Sequence, residues 1–199
     1  MHTQKKGFTL IELLIVIGIL AILATVTVLV LNPAELFRQA RDSQRLSDLG
    51  TIKSALGLYV TTVSSPDLES GAFTCGTNFG ASKAAASTTF ATAATILQPE
   101  VFTTGGAGWV PVNLGSMPGG APLSVLPRDP RNLVGTGGDR LTGGFYYTYS
   151  CDSAIPSFVL KANMESARYT TLGADDVEST DGGPDNSRFE TGTHPSLSL

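Results

Sequence analysis

Residues 8–31 form an apolar, β-branched run that holds a single charge, Glu12. As a helix, such a run reaches about 36 Å at 1.5 Å per residue. That is enough to cross a bilayer core of roughly 30 Å. Lys5 and Lys6 precede it, so the positive-inside rule keeps the amino end cytoplasmic and sends the rest across. A secretory signal peptide has a shorter apolar core and is cut after that core at a small-residue site. Here the run is long and no convincing site of that kind follows. A plain single-pass anchor accounts for the length, but for neither the Gly7-Phe8 junction nor Glu12. A carboxylate in hydrocarbon is costly and by default functional.

The stretch Lys5-Lys6-Gly7-Phe8-Thr9-Leu10-Ile11-Glu12 resembles the class III leader of type IV pilins and type II secretion pseudopilins. The resemblance implies that a prepilin peptidase cuts between Gly7 and Phe8 and then N-methylates Phe8. It also implies that Glu12, one helical turn on, pairs with the terminal amine of a neighbouring subunit. The physics agrees, because a second subunit that brings a cation relieves the cost of a carboxylate in lipid. The other reading of Glu12 is a protonated or snorkelling side chain. Gly18, Thr25 and Thr27 dilute the run with small residues that let membrane helices approach closely. Asn32-Pro33 ends it.

The chain has 199 residues and a formal net charge of −4. Setting the membrane segment aside leaves one domain of common size, about 140–165 residues. Outside the leader no basic patch interleaves with aromatics, so nucleic acid is not an expected partner. Cys75 and Cys151 are the two cysteines. They are far apart and form no C-x-x-C pair. The topology places both outside the cytoplasm, where a disulfide can form and persist. A Cys75–Cys151 bond is expected; the alternative is two free, buried thiols.

Residues 32–62 read as an amphipathic helix, with Leu36, Ala40, Leu46, Leu49, Ile52, Leu56 and Tyr59 at three-to-four spacing. Arg38, Arg41, Asp42, Arg45, Asp48 and Lys53 fall mostly off that stripe. The helix would extend the membrane segment into a stalk bent or broken near Pro33, and its apolar stripe needs a sheet to cover it. Residues 63–127 are rich in Gly, Ala, Ser, Thr and Pro. Between residues 70 and 127 the charged residues are Lys83 and Glu100. A short helix is expected over 88–97 and a strand-like stretch at Trp109-Val110-Pro111-Val112. The low charge fits either a surface that packs on neighbouring subunits or a loop-rich layer with a Ser/Thr surface. No N-x-S/T sequon occurs.

Residues 128–170 read as an antiparallel sheet with one face on the helix. Phe145-Tyr146-Tyr147-Thr148-Tyr149 and Phe158-Val159-Leu160-Lys161-Ala162 are its strands, joined by a hairpin over 152–156. Pro127-Arg128-Asp129-Pro130, the aromatic strand and the run Val159-Leu160-Lys161-Ala162-Asn163-Met164-Glu165 resemble the G-type pseudopilin ectodomain. Where that family usually has an aromatic after the Asp-Pro pair, this chain has Arg131. Residues 171–199 read as an acidic, turn-rich loop and tail carrying Asp175, Asp176, Glu178, Asp181, Asp185 and Glu190. The resemblance implies a calcium site here, with Asp175, Asp181, Asp185 and backbone carbonyls as ligands. Calcium wants six to eight oxygens in a flexible loop. The other reading is a solvated acidic loop that binds nothing.

The search for catalytic machinery fails. His2 leaves with the leader and His194 lies near the end of the chain. No Ser-His-Asp or Cys-His set is readily built from these, and no P-loop, dinucleotide fingerprint or zinc signature is present. No enzymatic activity and no cofactor other than calcium is expected. The expected fold is α+β and type IV pilin-like: a long N-terminal helix packed on a small antiparallel sheet. The expected function is that of a structural subunit of a type IV pilus or type II secretion pseudopilus. It would be processed by prepilin peptidase at the inner membrane and polymerised through its N-terminal helix. Its partners would be identical or related pilin subunits, the peptidase, the assembly platform and, before assembly, membrane lipid. The alternative is a minor tip pilin that binds a surface, DNA or a secreted protein.

Overall fold

The computed structural model describes residues 7–82, 95–97, 101–132 and 144–194. The chain divides into two compact units, Met1–Phe37 and Arg38–Leu199.

The first unit is dominated by helix α1, Leu10–Leu31. Leu10–Val28 is long and apolar enough to cross a membrane, and the described side chains of α1 are all exposed. Its two threonines satisfy their hydroxyls inside the helix: Thr25 donates to the Ala21 carbonyl at 2.8 Å and Thr27 to that of Ala24 at 2.9 Å. Such back-bonding lets a hydroxyl sit in an apolar helix without an outside partner. The helix stops at Asn32, which takes the left-handed conformation at φ 39°. Asparagine is one of the few L-residues that visits it readily. Helix α2, Pro33–Thr62, then opens on a proline, whose missing N–H costs nothing at a first helical position. The break expected near Pro33 is therefore centred on Asn32.

In the second unit the buried face of α2 is Asp42, Arg45, Leu49, Ile52, Ala55, Leu56 and Tyr59. The expected stripe holds from Leu49 onward. Toward the amino end it is corrected: Leu36 and Ala40 are exposed, Leu46 is half-buried, and the inward positions belong to Asp42 and Arg45. Helical spacing alone points both charges at the core, because 42, 45, 49, 52, 56 and 59 lie on one face.

Five strands make one sheet: β1 Asn78–Ala81, β2 Thr95–Leu97, β3 Thr148–Asp152, β4 Ser157–Ala162 and β5 Phe189–Gly192. The spatial order is β2-β1-β3-β4-β5. β1, β3, β4 and β5 pair antiparallel, and β2 joins β1 in parallel. Phe158, Leu160 and Ala162 of β4 share one hydrophobic cluster with Leu49, Ile52 and Leu56 of α2, Tyr147, and Tyr149 of β3. Every residue of β4 is buried, so both faces of this strand are covered.

Four sequence expectations are corrected here. The strand expected over 145–149 runs over Thr148–Asp152 instead, three residues later. The 88–97 helix is a strand where it is described, at 95–97; its remainder lies outside the described residues. Residues 171–199 contribute the edge strand β5 to the sheet. The 109–112 stretch is buried but not a strand. Trp109 instead lies across β1, where a Cβ at Gly80 would collide with the Trp109 carbonyl. The Trp109 amide donates to Val101 O at 2.8 Å and its indole N–H to Pro127 O at 3.2 Å. This anchor pins the low-charge region onto the core without a ladder.

The polar end of the α2 stripe is closed by an ionic cluster. Arg45 is fully buried and reaches three carboxylates: Asp42 at 2.7 Å, Asp129 at 2.6 Å and Glu165 at 2.6 Å. Glu165 also pairs with Arg41 at 2.6 Å and with Arg131 at 3.4 Å. Asp42 accepts the backbone amides of Glu165 and Ser166, and Asp129 those of Arg131 and Asn132. The guanidinium groups of Arg45 and Arg131 both lie over the Phe145 ring, at 4.9 and 4.7 Å from its centre.

Breaking a buried ion pair from one side leaves an uncompensated charge and costs about 3–5 kcal/mol. Arg45→Met is expected to lose stability on that order, measured by urea unfolding of the full chain in detergent. Burial pushes the Glu165 carboxyl up, but the hydrogen bonds from Arg41 and Arg45 outweigh it and hold it below its ordinary value. A depressed folded-state value gives stability that is present above the unfolded value, about 4.3. That stability is lost as pH falls through the folded value. Glu165→Gln should therefore be less stable than the wild type at neutral pH, and the gap should close in acid. A gap that stays constant across that range would contradict the assignment.

Candidate processing and assembly segment

Residues 7–9 precede α1 in non-helical backbone and are exposed. Phe8 is 85% exposed, and nothing lies within 4 Å of the position a Cβ would take on Gly7. The Gly7-Phe8 peptide thus sits in exposed, non-helical backbone directly before the helix. Lys5 and Lys6 lie outside the described residues.

Thr9 is the N-cap of α1, with φ −80° and ψ 152°. Its hydroxyl oxygen accepts the Glu12 amide at 3.3 Å, while the Glu12 carboxylate accepts the Thr9 amide at 2.8 Å and the Thr9 hydroxyl at 2.7 Å. This is a capping box, which satisfies two of the helix's otherwise orphaned N–H groups. In the uncleaved chain Glu12 therefore has local partners of its own. The sequence contained this signal, a Thr followed three residues later by Glu at the head of an apolar run. Both of Glu12's hydrogen-bonding groups on Thr9 are neutral.

Cys75 and Cys151 are joined in a disulfide with a Cα–Cα distance of 4.8 Å. The bond ties the segment before β1 to β3, and the Gly76 amide donates to the Cys151 carbonyl beside it at 2.9 Å. Both residues are buried.

The acidic residues of the C-terminal loop are each engaged separately. Asp175 pairs with Arg168 at the surface. The Ser179 hydroxyl and amide, with the amides of Leu172 and Glu178, hold the Asp176 carboxyl at about 2. Glu178 is buried and accepts the Met164 and Thr171 amides at 3.2 and 3.0 Å. Asp181 accepts the Gly183 amide at 2.8 Å and that of Glu190. Burial nevertheless raises its carboxyl above the ordinary value. Asp185 accepts the Ser187 amide and hydroxyl and pairs with Arg188 at 2.7 Å. Burial opposes its ionisation, but Ser187, Arg188 and Lys161 together hold it below the ordinary value. Among the described residues, no group of three or more His, Cys, Asp or Glu side chains is arranged to hold a metal ion. The expected set of Asp175, Asp181 and Asp185 is not gathered into one coordination sphere.

Sequence reasoning missed Lys161, which it placed only as a position in a strand. Lys161 is nearly buried and pairs with Glu190 at 2.6 Å across the β4–β5 ladder. Recognising β5 was the precondition for finding that partner.

Residues 2–28 match the family model described as the prokaryotic N-terminal methylation motif. The motif is the prepilin-type signal of type IV pilins and pseudopilins. With it, the apolar helix and the small, mainly antiparallel sheet are consistent with an α+β type IV pilin fold. No curated protein and no solved structure matched the chain.

The disulfide closes a loop spanning a sequence separation of 76. In the chain-entropy model a loop of that size contributes about 4 kcal/mol. Replacing both cysteines by serine is expected to lower unfolding stability by an amount of that order, read from urea denaturation of the oxidised wild type against the double variant.

Proposed function

We propose that this chain is a pilin-type structural subunit, held in the bacterial inner membrane by α1 with its amino end cytoplasmic. A prepilin peptidase cuts between Gly7 and Phe8 and methylates the new Phe8 amine. Subunits then polymerise through α1, with Glu12 of one chain facing the Phe8 amine of the next. The ectodomains coat the outside of the resulting pilus or secretion pseudopilus. The observation that carries this reading is the methylation motif over residues 2–28. An open Gly7-Phe8 junction and a membrane-length helix whose first turn holds Glu12 support it.

The chemistry of the exchange is straightforward. Cleavage creates a cationic amine four residues before Glu12. A charge-assisted hydrogen bond is roughly twice as strong as a neutral one. In a lipid or filament core of low dielectric, the amine of a neighbour therefore competes well against the neutral Thr9 groups for the carboxylate. Registering one amine on one carboxylate also fixes the axial offset between subunits.

Intact mass and N-terminal sequencing of protein from native membranes should find N-methyl-Phe8 as the first residue. A chain still beginning at Met1, in cells with active peptidase, would remove the basis of the reading. Glu12→Ala should be cleaved normally yet yield few or no filaments by electron microscopy of sheared preparations. Normal filaments from that variant would sink the pairing step while leaving the processing step intact.

A further inference from the structure

The C-terminal loop has the composition of a calcium loop but not its geometry. A calcium ion needs six to eight oxygens converging at about 2.3–2.6 Å. Here Asp175 turns to Arg168, Asp181 to the amides of Gly183 and Glu190, and Asp185 to Ser187 and Arg188. Besides Glu178, which takes backbone amides, the loop encloses the carboxylate of Glu190, whose side chain is wholly buried. One of its oxygens lies 2.6 Å from the Lys161 ammonium, an ion pair without hydrogen-bond geometry, and the other accepts the Asp185 amide at 2.9 Å. The loop backbone closes directly over this headgroup. A Cβ built on Gly183 would collide with the Glu190 carboxylate. A divalent ion placed on Glu190 would meet an ammonium already seated there, and the like charges would repel.

We infer that Lys161 serves as the built-in cation of this loop, occupying the role a bound calcium would otherwise fill, so that the loop closes without any divalent metal. The assignment rests on three connected placements. Lys161 and Glu190 face each other in the β4–β5 register, with Val159 opposite Gly192 and Ala162 opposite Phe189 on either side. Glu190 in turn organises the loop before it, through its carboxylate on the Asp185 amide and its own amide on Asp181. Gly183 permits the close approach that seals the headgroup from water. The ammonium is covalently part of β4, so its effective concentration does not depend on the medium. A domain built this way keeps its C-terminal loop closed in calcium-poor surroundings. This inference concerns the ectodomain alone and stands or falls independently of how the subunits assemble.

The test uses the full chain in detergent, with amide hydrogen exchange over residues 181–193 as the readout. For the wild type, neither millimolar calcium nor a chelator should change exchange in this segment or the melting temperature. Slower exchange or a higher melting temperature on adding calcium would overturn the inference. Lys161→Met keeps the aliphatic stem but removes the charge, and should accelerate exchange in the segment at least tenfold while leaving α2 protected. Unchanged protection in that variant would equally overturn it. If Lys161→Met does not fold, Glu190→Gln leaves the ammonium without its counter-charge and should loosen the same segment. A Glu190→Gln loop as protected as the wild type's would count against the role given to the pair.

Discussion

One guanidinium, that of Arg45, decides how the ectodomain is put together. It is wholly buried and cannot lose its proton at any relevant pH. It must therefore be surrounded by acceptors or the fold does not form. The acceptors come from three separated stretches: Asp42 one turn earlier in α2, Asp129 in the turn after the low-charge region, and Glu165 just past β4. Each of these carboxylates is held by further donors, so none can drift to a second arrangement. Buried ion clusters of this kind contribute little net stability compared with a well-packed apolar alternative. What Arg45 contributes here is position. It fixes the axial placement of α2 against the end of β4 and brings the 127–132 turn to the same point. Phe145, whose ring both Arg45 and Arg131 approach, supplies a flat apolar floor for the two cations. Arg131 takes part in this floor where the resembling family usually places an aromatic.

That cluster also marks where sequence reading reaches its limit. The apolar run, the break near Pro33, the stripe from Leu49 to Tyr59 and the strand over 158–162 are all legible, whereas the strand expected over 145–149 begins only at Thr148. Each is a local periodicity or a local breaker. Asp42 and Arg45 share the spacing of the stripe, but a rule that equates charge with solvent assigns them to the wrong face. Only knowledge of Asp129 and Glu165 makes their burial sensible, and those partners lie 84 and 120 residues away from Arg45. The strand β5 was missed for a related reason. Phe189-Glu190-Thr191-Gly192 has no apolar alternation, and it becomes a strand because Lys161 and the free edge of β4 receive it. The stretch 109–112 is expected to be strand-like, yet the close approach of Trp109 to Gly80 places it across β1 rather than beside it.

The two ends of the chain solve the same electrostatic problem in opposite ways. Glu190 must be neutralised inside a protein domain, and its cation is fixed to the neighbouring strand, opposite it in the ladder. The bond is made once, during folding, and the geometry gives it no competitor. Glu12 lies within a helix suited to lipid, and its hydrogen bonds to Thr9 come from neutral groups one turn away. A neutral cap satisfies the carboxylate's lone pairs but leaves its charge uncompensated. Such a group is stable enough to persist in a monomer and is still improved by any cation that arrives from outside. On the proposed reading, the contrast suits a subunit that folds first and associates afterwards: fixed partners inside the domain, and a replaceable one at the helix through which subunits are proposed to assemble.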